Sequence, residues 1–422
     1  MSGVKATIIQ LKFNSVIQAF QEAGIPYDEN NPSAVLVWHD TLNLIDYYKF
    51  LHPWQVVNRI PYIHLLCRKS SFARLIQHMK EYFPKEYSFV PKTYILPFEG
   101  KRLKKAIAKK NVRHIIKPDG GSLGVGITII DPGNEYAPED ILAVGQEYIE
   151  SHTIDNRKYD LRVYVLVASV SPLTIYVYRD GVARFCSSTQ GANSVYSQIT
   201  NVGLNKFNVG EKSMEEISKL ISDIIPKMQI TPEELWSRID RVAVLTILSC
   251  YKYFEKGVSD FVKSIPYPRC FQILGFDILL DKDLMPHVLE VNYRPSLDYY
   301  RPPERRMKVS MIRDAIRIGC PLSQVQACIS ERSFGWDGEN FSAFISQSQN
   351  LIDSINNEKK SAVKNSKFVR VYPSTEKIPL NSLIDHFFHG SLPRYKKSHF
   401  FQHSNTEKLL GILNNTLIIL IP

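Results

Sequence analysis

The stretch Phe271–Leu297, FQILGFDILLDKDLMPHVLEVNYRPSL, constrains the fold more than any other. It reads as two strands joined across Asp281–Pro286. Asp277 alternates with Ile278 and Leu280 on the first strand. Glu290 and Asn292 alternate with Leu289 and Val291 on the second. Strand side chains alternate faces, so Glu290 and Asn292 share one face and the aliphatics take the other. A hairpin symmetric about its turn sets Asp277 opposite Glu290, with Cβ atoms within roughly 5 Å. Two carboxylates and an amide oxygen then converge beside an apolar layer and repel one another unless a cation is present. All-oxygen donors with few charges suit Mg²⁺, which keeps waters and shares substrate phosphates. Taken alone, the hairpin is equally compatible with a polar outward face of a sheet.

A chain of 422 residues is expected to form two to four structural units, and 44% hydrophobic with 22% charged residues is a globular composition. The net charge of +10 favours an acidic partner: nucleic acid, a membrane surface or an acidic protein segment. No nucleic-acid recognition motif accompanies the charge, so a nucleic-acid partner is not expected. The start, MSGVKATIIQLKF, lacks the long apolar core of a signal peptide, and the apolar run Leu417–Ile421 is too short to span a bilayer. No membrane partner is expected either. The six cysteines are scattered, without CxxC or zinc-site spacing, which leads us to expect reduced thiols in a cytosolic protein.

Along the chain, Ala34–Trp38 reads as a short strand and Pro53–Pro61 as a loop. Phe72, Leu75, Ile76 and Met79 recur at helical spacing within residues 65–84, and Pro84 stops that helix. Phe89–Pro97 is extended. Lys101–Arg113 is a basic helix with either a solvated or an anion-facing side. His114–Ile130, HIIKPDGGSLGVGITII, reads strand, glycine-rich loop, strand. Gly120, Gly121, Gly124 and Gly126 let backbone approach a bulky group, and their N–H groups suit phosphate oxygens. Lys117 stands at the strand exit. Neither a Walker A loop nor GxGxxG opening a helix is present, so the loop alone fits a flexible hairpin as well as a nucleotide lid.

In residues 157–185, Asp160, Arg162 and Tyr164 share one strand face, and Asp180-Gly181 reads as a hairpin turn. Lys158, Asp160, Arg162 and Arg184 are too many charges for a dry core. They fit either anion ligands in a cleft or a surface ladder of ion pairs. Residues 186–210 are loop-like, and Met214–Met228 carries apolar residues at helical spacing. Thr231-Pro232-Glu233-Glu234 opens a helix running towards Phe254. Arg301–Gly319 is basic and then helical. From about 320 Ser, Asn and Gln rise, a polar helix follows, and Lys367–Ser374 is a strand that docks back. His386 and His389 lack a helical carboxylate partner, so a solvated or packed role is expected for both.

The segments LCRKSSFARLIQHMK, IIKPDGGSLGVGI, QEYIE, KYDLRVYVLV, YVYRDGVARF, ITNVGLNKFN, LGFDILLD and LEVNYRPSL, in this order, resemble the tubulin–tyrosine ligase-like family from about Leu51 to Gly319. The resemblance implies an α/β (α+β) ATP-grasp fold of three subdomains, with the nucleotide held between two sheets. The implied units are an N-terminal α/β subdomain (1–66), a central subdomain with the glycine-rich loop (67–147), a C-terminal subdomain with the Mg and acceptor site (148–320), and a helical or irregular, partly flexible extension (321–422). Lys69, Lys117 and the four loop glycines would meet ATP phosphates. Gln146, Tyr148 and Ile149 would form the adenine hinge, mainly through backbone. Lys158 and Asp160 would also face the nucleotide, and Thr200 and Asn201 would line the same cleft. Arg162 and Arg184 would be catalytic, holding the acyl-phosphate and the acceptor carboxylate. Asp277, Glu290 and Asn292 would bind Mg²⁺.

The implied activity is ATP- and Mg-dependent ligation of free glutamate to the acidic tails of tubulin through an acyl-phosphate, a polyglutamylase acting on microtubules. Such chemistry asks mainly for positioning and electrostatic stabilisation, and a +10 chain is steered to an acidic tail. The implied setting is a monomer in the cytoplasm, on the cytoskeleton, in a cilium, flagellum or basal body. Alternatives are a tubulin glycylase or tyrosine ligase, or a catalytically inactive tubulin-binding member. The last is expected to lose Asp277, Glu290 or Asn292, all kept here. Departures from the family pattern are Leu123 and Val125 in the glycine-rich loop, Glu147 in the hinge, and Gln198-Ile199 ahead of Thr200. Arg294 is a replacement charge in our reading.

Overall fold

The computed structural model describes residues 3–40, 45–109, 112–120, 125–137, 140–189, 195–200, 205, 214–262, 265–331 and 338–373. All lie in one unit, Met1–Lys377. Gly121, Leu123, Gly124, Asn201, His386 and His389 fall outside the described residues.

Three sheets carry the fold. The first is parallel, in the order β2-β1-β3-β4, from β1 (Ala6–Ile9), β2 (Tyr27–Asp28), β3 (Leu36–His39) and β4 (Val56–Val57). Helix Asn14–Ala23 joins β1 to β2. It buries Val16, Ala19 and Phe20, and Gly24 ends it at φ 65°, a left-handed conformation that suits glycine. β4 corrects the loop expected over Pro53–Pro61. Val56 N donates to Val35 O at 2.7 Å and Phe271 N to Val57 O at 3.1 Å, so partners distant in sequence make this strand. Two residues have no periodicity to reveal it.

The second sheet runs β5-β8-β6-β7, from β5 (Thr93–Leu96), β6 (His114–Pro118), β7 (Thr128–Ile130) and β8 (Ala143–Glu147), all antiparallel. Two helices cover it. From helix Gly100–Ile107, Leu103 and Ile107 pack on Tyr94, Leu96 and Ile116. From helix Lys69–Tyr82, Ala73 packs on Ile95 and Val144. Tyr94 and Leu96 alternate with Ile95, so the helices lie on opposite faces. Lys101, Arg102, Lys104 and Lys105 are exposed on that helix, which ends at Ile107, short of the expected Arg113.

The third sheet has seven strands: β9 (Thr153–Ile154), β10 (Arg157–Val170), β11 (Leu173–Phe185), β12 (Ser218–Leu220), β13 (Gln272–Leu280), β14 (Pro286–Asn292) and β15 (Phe368–Tyr372). Its path is β12-β11-β10-β13-β14, with β9 beside β10 and β15 beside β11. The turn between β10 and β11 is at Ser171-Pro172, which corrects the one expected at Asp180-Gly181. Val163 faces Gly181 while Val165 faces Val177, so β11 bulges there. The Asp180 carboxylate accepts from Gly181 N at 2.9 Å and from the Ser222 hydroxyl at 3.2 Å. A Cβ on Gly181 would lie 2.3 Å from Arg162 O, so the glycine marks a close strand approach instead of a turn.

β12 likewise corrects the helix expected over Met214–Met228. Leu220, Lys219 and Ser218 pair with Val182, Ala183 and Arg184 at the edge of β11, and short helices Met214–Ile217 and Ile221–Ile224 flank them. Thr231 caps helix Pro232–Leu248 by accepting from Glu234 N at 3.2 Å. The run towards Phe254 is two helices, the second being Tyr251–Phe261. At the break the Ser249 hydroxyl donates to Thr246 O at 2.7 Å, a local bond that competes with helix continuation.

Helix Pro302–Gly319 sits in a core shared by the first and third sheets. Met311, Ile312 and Ala315 cluster with Phe20 and Leu36 of one part and with Tyr164, Leu166 and Tyr176 of the other. Helices Ser323–Glu331, Gly338–Gln347 and Gln349–Lys364 add Val325, Phe341 and Ile355 to the same cluster. β15 is the strand expected to dock back, and the Phe368 ring lies 5.0 Å from that of Tyr178. All six cysteines are free. Among the described residues no helix is long and apolar enough to cross a membrane.

Candidate active site

A cleft of about 740 Å³ lies between the second and third sheets, lined by β6 and β8 on one side and β10–β14 on the other. The Asp277–Glu290 hairpin, β13 and β14, lines one wall. Asp277 faces Glu290 and Gly275 faces Asn292, the register that strand alternation predicts.

The neighbours of Asp277 come from further away. β10 pairs with β13 so that Arg162 faces Asp277, and with β11 so that Asp160 faces Arg184. Arg162 donates through Nε and Nη2 to the two Asp277 oxygens at 2.5 and 3.1 Å. Arg184 grips Asp160 at 2.6 and 2.7 Å and reaches Asp277 Oδ2 at 2.9 Å. The Thr200 hydroxyl donates to Asp160 Oδ2 at 2.6 Å. A buried relay, Thr200–Asp160–Arg184–Asp277–Arg162, thus crosses three strands. Burial alone would raise the Asp277 carboxyl, but the two guanidiniums hold it well below the usual carboxylate range. Burial and the Asp277 charge push Glu290 up, with Lys69 3.8 Å away opposing them.

Among the described residues no group of three or more histidine, cysteine, aspartate and glutamate side chains is placed to hold a metal. The available donors are two carboxylates and an amide. Asn292 Nδ2 lies 3.2 Å from Glu290 Oε1 and 3.5 Å from Asp277 Oδ2. Turning that amide about its terminal bond presents the oxygen instead. Glu290, crowded by a second carboxylate and raised in pKa, is the group a hard cation would relieve. The set fits Mg²⁺.

Cations stand on both sides of the cleft, Lys117 on β6 facing the hairpin and Lys158 on β10. Lys117 Nζ donates to Gln146 Oε1 at 2.9 Å, and Gln146 Nε2 donates to Thr93 Oγ1 at 3.0 Å. Lys158 Nζ donates to the Tyr148 hydroxyl at 2.9 Å and lies 4.1 Å from the ring centroid. Burial pulls both lysines down to about 8. Among the described residues neither has a carboxylate at ion-pair distance, so both face the cleft with neutral partners. A polyphosphate fits them.

Ile149 and Gly120 also line the cleft, and a Cβ on Gly120 would meet nothing within 4 Å. Gly126, at φ +74° with Pro118 Cγ 2.9 Å from a built Cβ, serves the turn into β7 and is not among the lining residues. Val125 lines the mouth at 73% exposure. Tyr148 does more than offer backbone, since its hydroxyl ties Lys158 to the carbonyl of Gln198. Arg294 is a lining residue. Sequence reasoning missed the inner end, where Glu304 and Lys308 pair at 2.8 Å. Their i, i+4 spacing on a helix was the available signal.

Two facing sheets, with Lys117 on one and the carboxylate hairpin on the other, define an ATP-grasp scaffold. The chain belongs to the tubulin-tyrosine ligase family, which matches residues 49–328. Its relatives include tubulin polyglutamylase TTLL6 of Mus musculus, 32% identical over 320 residues, covering 72% of this chain and 39% of the relative. Tubulin polyglutamylase TTLL7 of Homo sapiens is 30% identical over 344 residues, covering 75% and 38%. The probable beta-tubulin polyglutamylase of Tetrahymena thermophila is 29% identical over 335 residues, covering 73% and 28%. The chain therefore spans well under half the length of these relatives.

Proposed function

We propose that the chain is an ATP- and Mg²⁺-dependent ligase that adds glutamate to acidic tubulin tails. The observation that carries this reading is that one cleft brings Lys117 and Lys158 together with the Asp277–Glu290–Asn292 hairpin. The polyglutamylase relatives support glutamate as donor and tubulin as acceptor. Bound ATP and Mg²⁺ would supply the phosphoryl group and neutralise its charge. Lys69, Lys117 and Lys158 hold the phosphates, with Gln146 aiming Lys117 and Tyr148 aiming Lys158. Asp277, Glu290 and Asn292 hold the metal. Arg162 and Arg184, fixed by Asp160 and Asp277, present guanidinium edges to the acceptor carboxylate.

In the reaction a carboxylate oxygen of the tail takes the γ-phosphoryl group and ADP leaves. The donor amine then attacks the acyl carbon, the C–N bond forms, the C–O bond to phosphate breaks, and the amine releases its protons to phosphate and solvent. No protein nucleophile is needed; the work is charge stabilisation and alignment. The reading sets a monomer on the microtubule cytoskeleton, cilia included.

The test supplies purified chain with ATP, Mg²⁺, microtubules and labelled glutamate, glycine or tyrosine in turn, with mass spectrometry of the tails. Glutamate incorporation is expected. Glycine or tyrosine in its place would reassign the donor. A second reading, tubulin binding without catalysis, draws on Asp277 being engaged by two arginines. Calorimetry showing no Mg²⁺-dependent ATP binding would favour it.

A further inference from the structure

The Tyr148 side chain joins the nucleotide side of the cleft to the segment that ends at Thr200. Lys158 Nζ, buried on β10, donates to the Tyr148 hydroxyl at 2.9 Å, and that hydroxyl donates to the Gln198 carbonyl at 3.3 Å. Two residues on, the Thr200 hydroxyl donates to Asp160 Oδ2 at 2.6 Å, and Asp160 in turn holds Arg184 at 2.6 and 2.7 Å. Gln198–Thr200 is therefore pinned at both ends to β10, through Tyr148 to Lys158 and through Thr200 to Asp160. Between the pins, Ile199 O accepts from Asn205 Nδ2 at 2.8 Å, a tie to a residue further along the chain. The Tyr148 ring has neighbours of its own: Arg113 lies 4.5 Å from its centroid and pairs with Glu150 at 2.7 Å. Both pins line the cleft.

We propose that Tyr148 is a positioning residue that couples nucleotide occupancy to binding of the acidic acceptor, by tying Lys158 to the Gln198–Thr200 segment. The inference rests on the ligase reading above and adds to it an order: nucleotide first, acceptor second. Lys158 has three N–H donors, so it keeps Tyr148 while meeting a phosphate oxygen. A phosphate beside it holds the ammonium charged, and a charged donor makes the stronger bond to the phenol oxygen. Hydrogen bonds in a chain polarise one another, so the Tyr148 hydroxyl then donates more strongly to Gln198 O. That draws Gln198–Thr200 onto β10 and steadies the Thr200 bond to Asp160, which sets the Arg184 guanidinium. Arg184 meets the acceptor carboxylate in the ligase reading. An empty nucleotide site leaves the segment looser and the acceptor side less organised. Linkage makes the effect reciprocal, so the acceptor tightens the nucleotide by the same factor.

The experiment measures binding of a fluorescent acidic tail peptide to the full chain by anisotropy, with Mg²⁺ alone and with Mg²⁺ plus a non-hydrolysable ATP analogue. The quantity read is the ratio of the two peptide affinities, which cancels any direct repulsion between nucleotide and tail when variants are compared. Tyr148→Phe keeps the ring and removes the hydroxyl, a loss of about 1 kcal/mol that leaves the fold intact. The ratio is expected to be about fivefold larger in the wild type than in Tyr148→Phe, at the low end for coupled sites. Equal ratios would overturn the proposal. Thr200→Val cuts the second pin and is expected to lower the ratio as well. The two bonds lie in series, so the double variant is expected to lose no more than the larger single loss, whereas additive losses would contradict a shared path. A merely structural role for Tyr148 would weaken the peptide equally with and without the analogue, leaving the ratio unmoved. A chain that binds the analogue with equal ratios overturns the coupling and leaves the nucleotide reading standing. A chain that does not bind the analogue overturns both.

Discussion

Asp277 and Glu290 face each other on one hairpin yet carry opposite electrostatic burdens. Asp277 closes ion pairs with Arg162 and Arg184, whereas Glu290 is crowded. Asp277→Ala leaves two buried guanidiniums short of a partner, so urea unfolding is expected to show a loss of about 3 kcal/mol. Glu290→Gln relieves repulsion, and its midpoint without Mg²⁺ is expected not to fall, while Mg²⁺ binding weakens. A lower midpoint in Glu290→Gln would contradict this account of the hairpin. Lys117 and Lys158 give a pH prediction. Burial holds both near 8, and a bound polyphosphate raises them. Nucleotide binding is therefore expected to take up protons between about pH 8 and 9 and to weaken as pH rises through 8. Calorimetry in buffers of different ionisation enthalpy reads that uptake, and Lys117→Met or Lys158→Met should reduce it. The Asp277–Glu290 pairing was legible in the sequence because alternation and a turn fix it locally. The arginine partners were not, since Arg162 and Asp277 are 115 residues apart and only strand order joins them.

Strand β11 shows where local signals mislead. Asp-Gly is a strong turn signal in isolation, but here the carboxylate is satisfied by Gly181 N and Ser222, and the pair sits in a bulge. The glycine is needed for the approach to β10. Gly181→Ala drives a Cβ to 2.3 Å from Arg162 O, so it is expected to cost at least about 2 kcal/mol in urea unfolding and to disturb the arginine relay. Gly120→Ala, with nothing within 4 Å of the new Cβ, is the matched control and should change stability by under about 0.5 kcal/mol. Equal effects would contradict the steric reading. β12 was missed for a related reason. Its residues continue an apolar spacing that suits a helix, and the open edge of β11, distant in sequence, takes them as a strand.

At the scale of the molecule, the facing sheets and the cleft were legible because several strand–loop–strand segments occur in a recognisable order. The shared core was not. The polar composition after residue 320 reflects exposed faces of helices whose buried sides, Val325, Phe341 and Ile355, join the same cluster as Phe20. β15 completes that core through Phe368, so a chain ending at residue 366 is expected to unfold at lower urea than one ending at 377. The +10 charge predicts that the apparent KM for an acidic tail rises with ionic strength while that for the amino acid does not. The central claim is that the cleft activates a tail carboxylate by phosphoryl transfer. It is tested most directly with a tail peptide whose acceptor carboxylates carry ¹⁸O. The account predicts one ¹⁸O transferred to inorganic phosphate for each amide bond formed. Amide formation with unlabelled phosphate would contradict it.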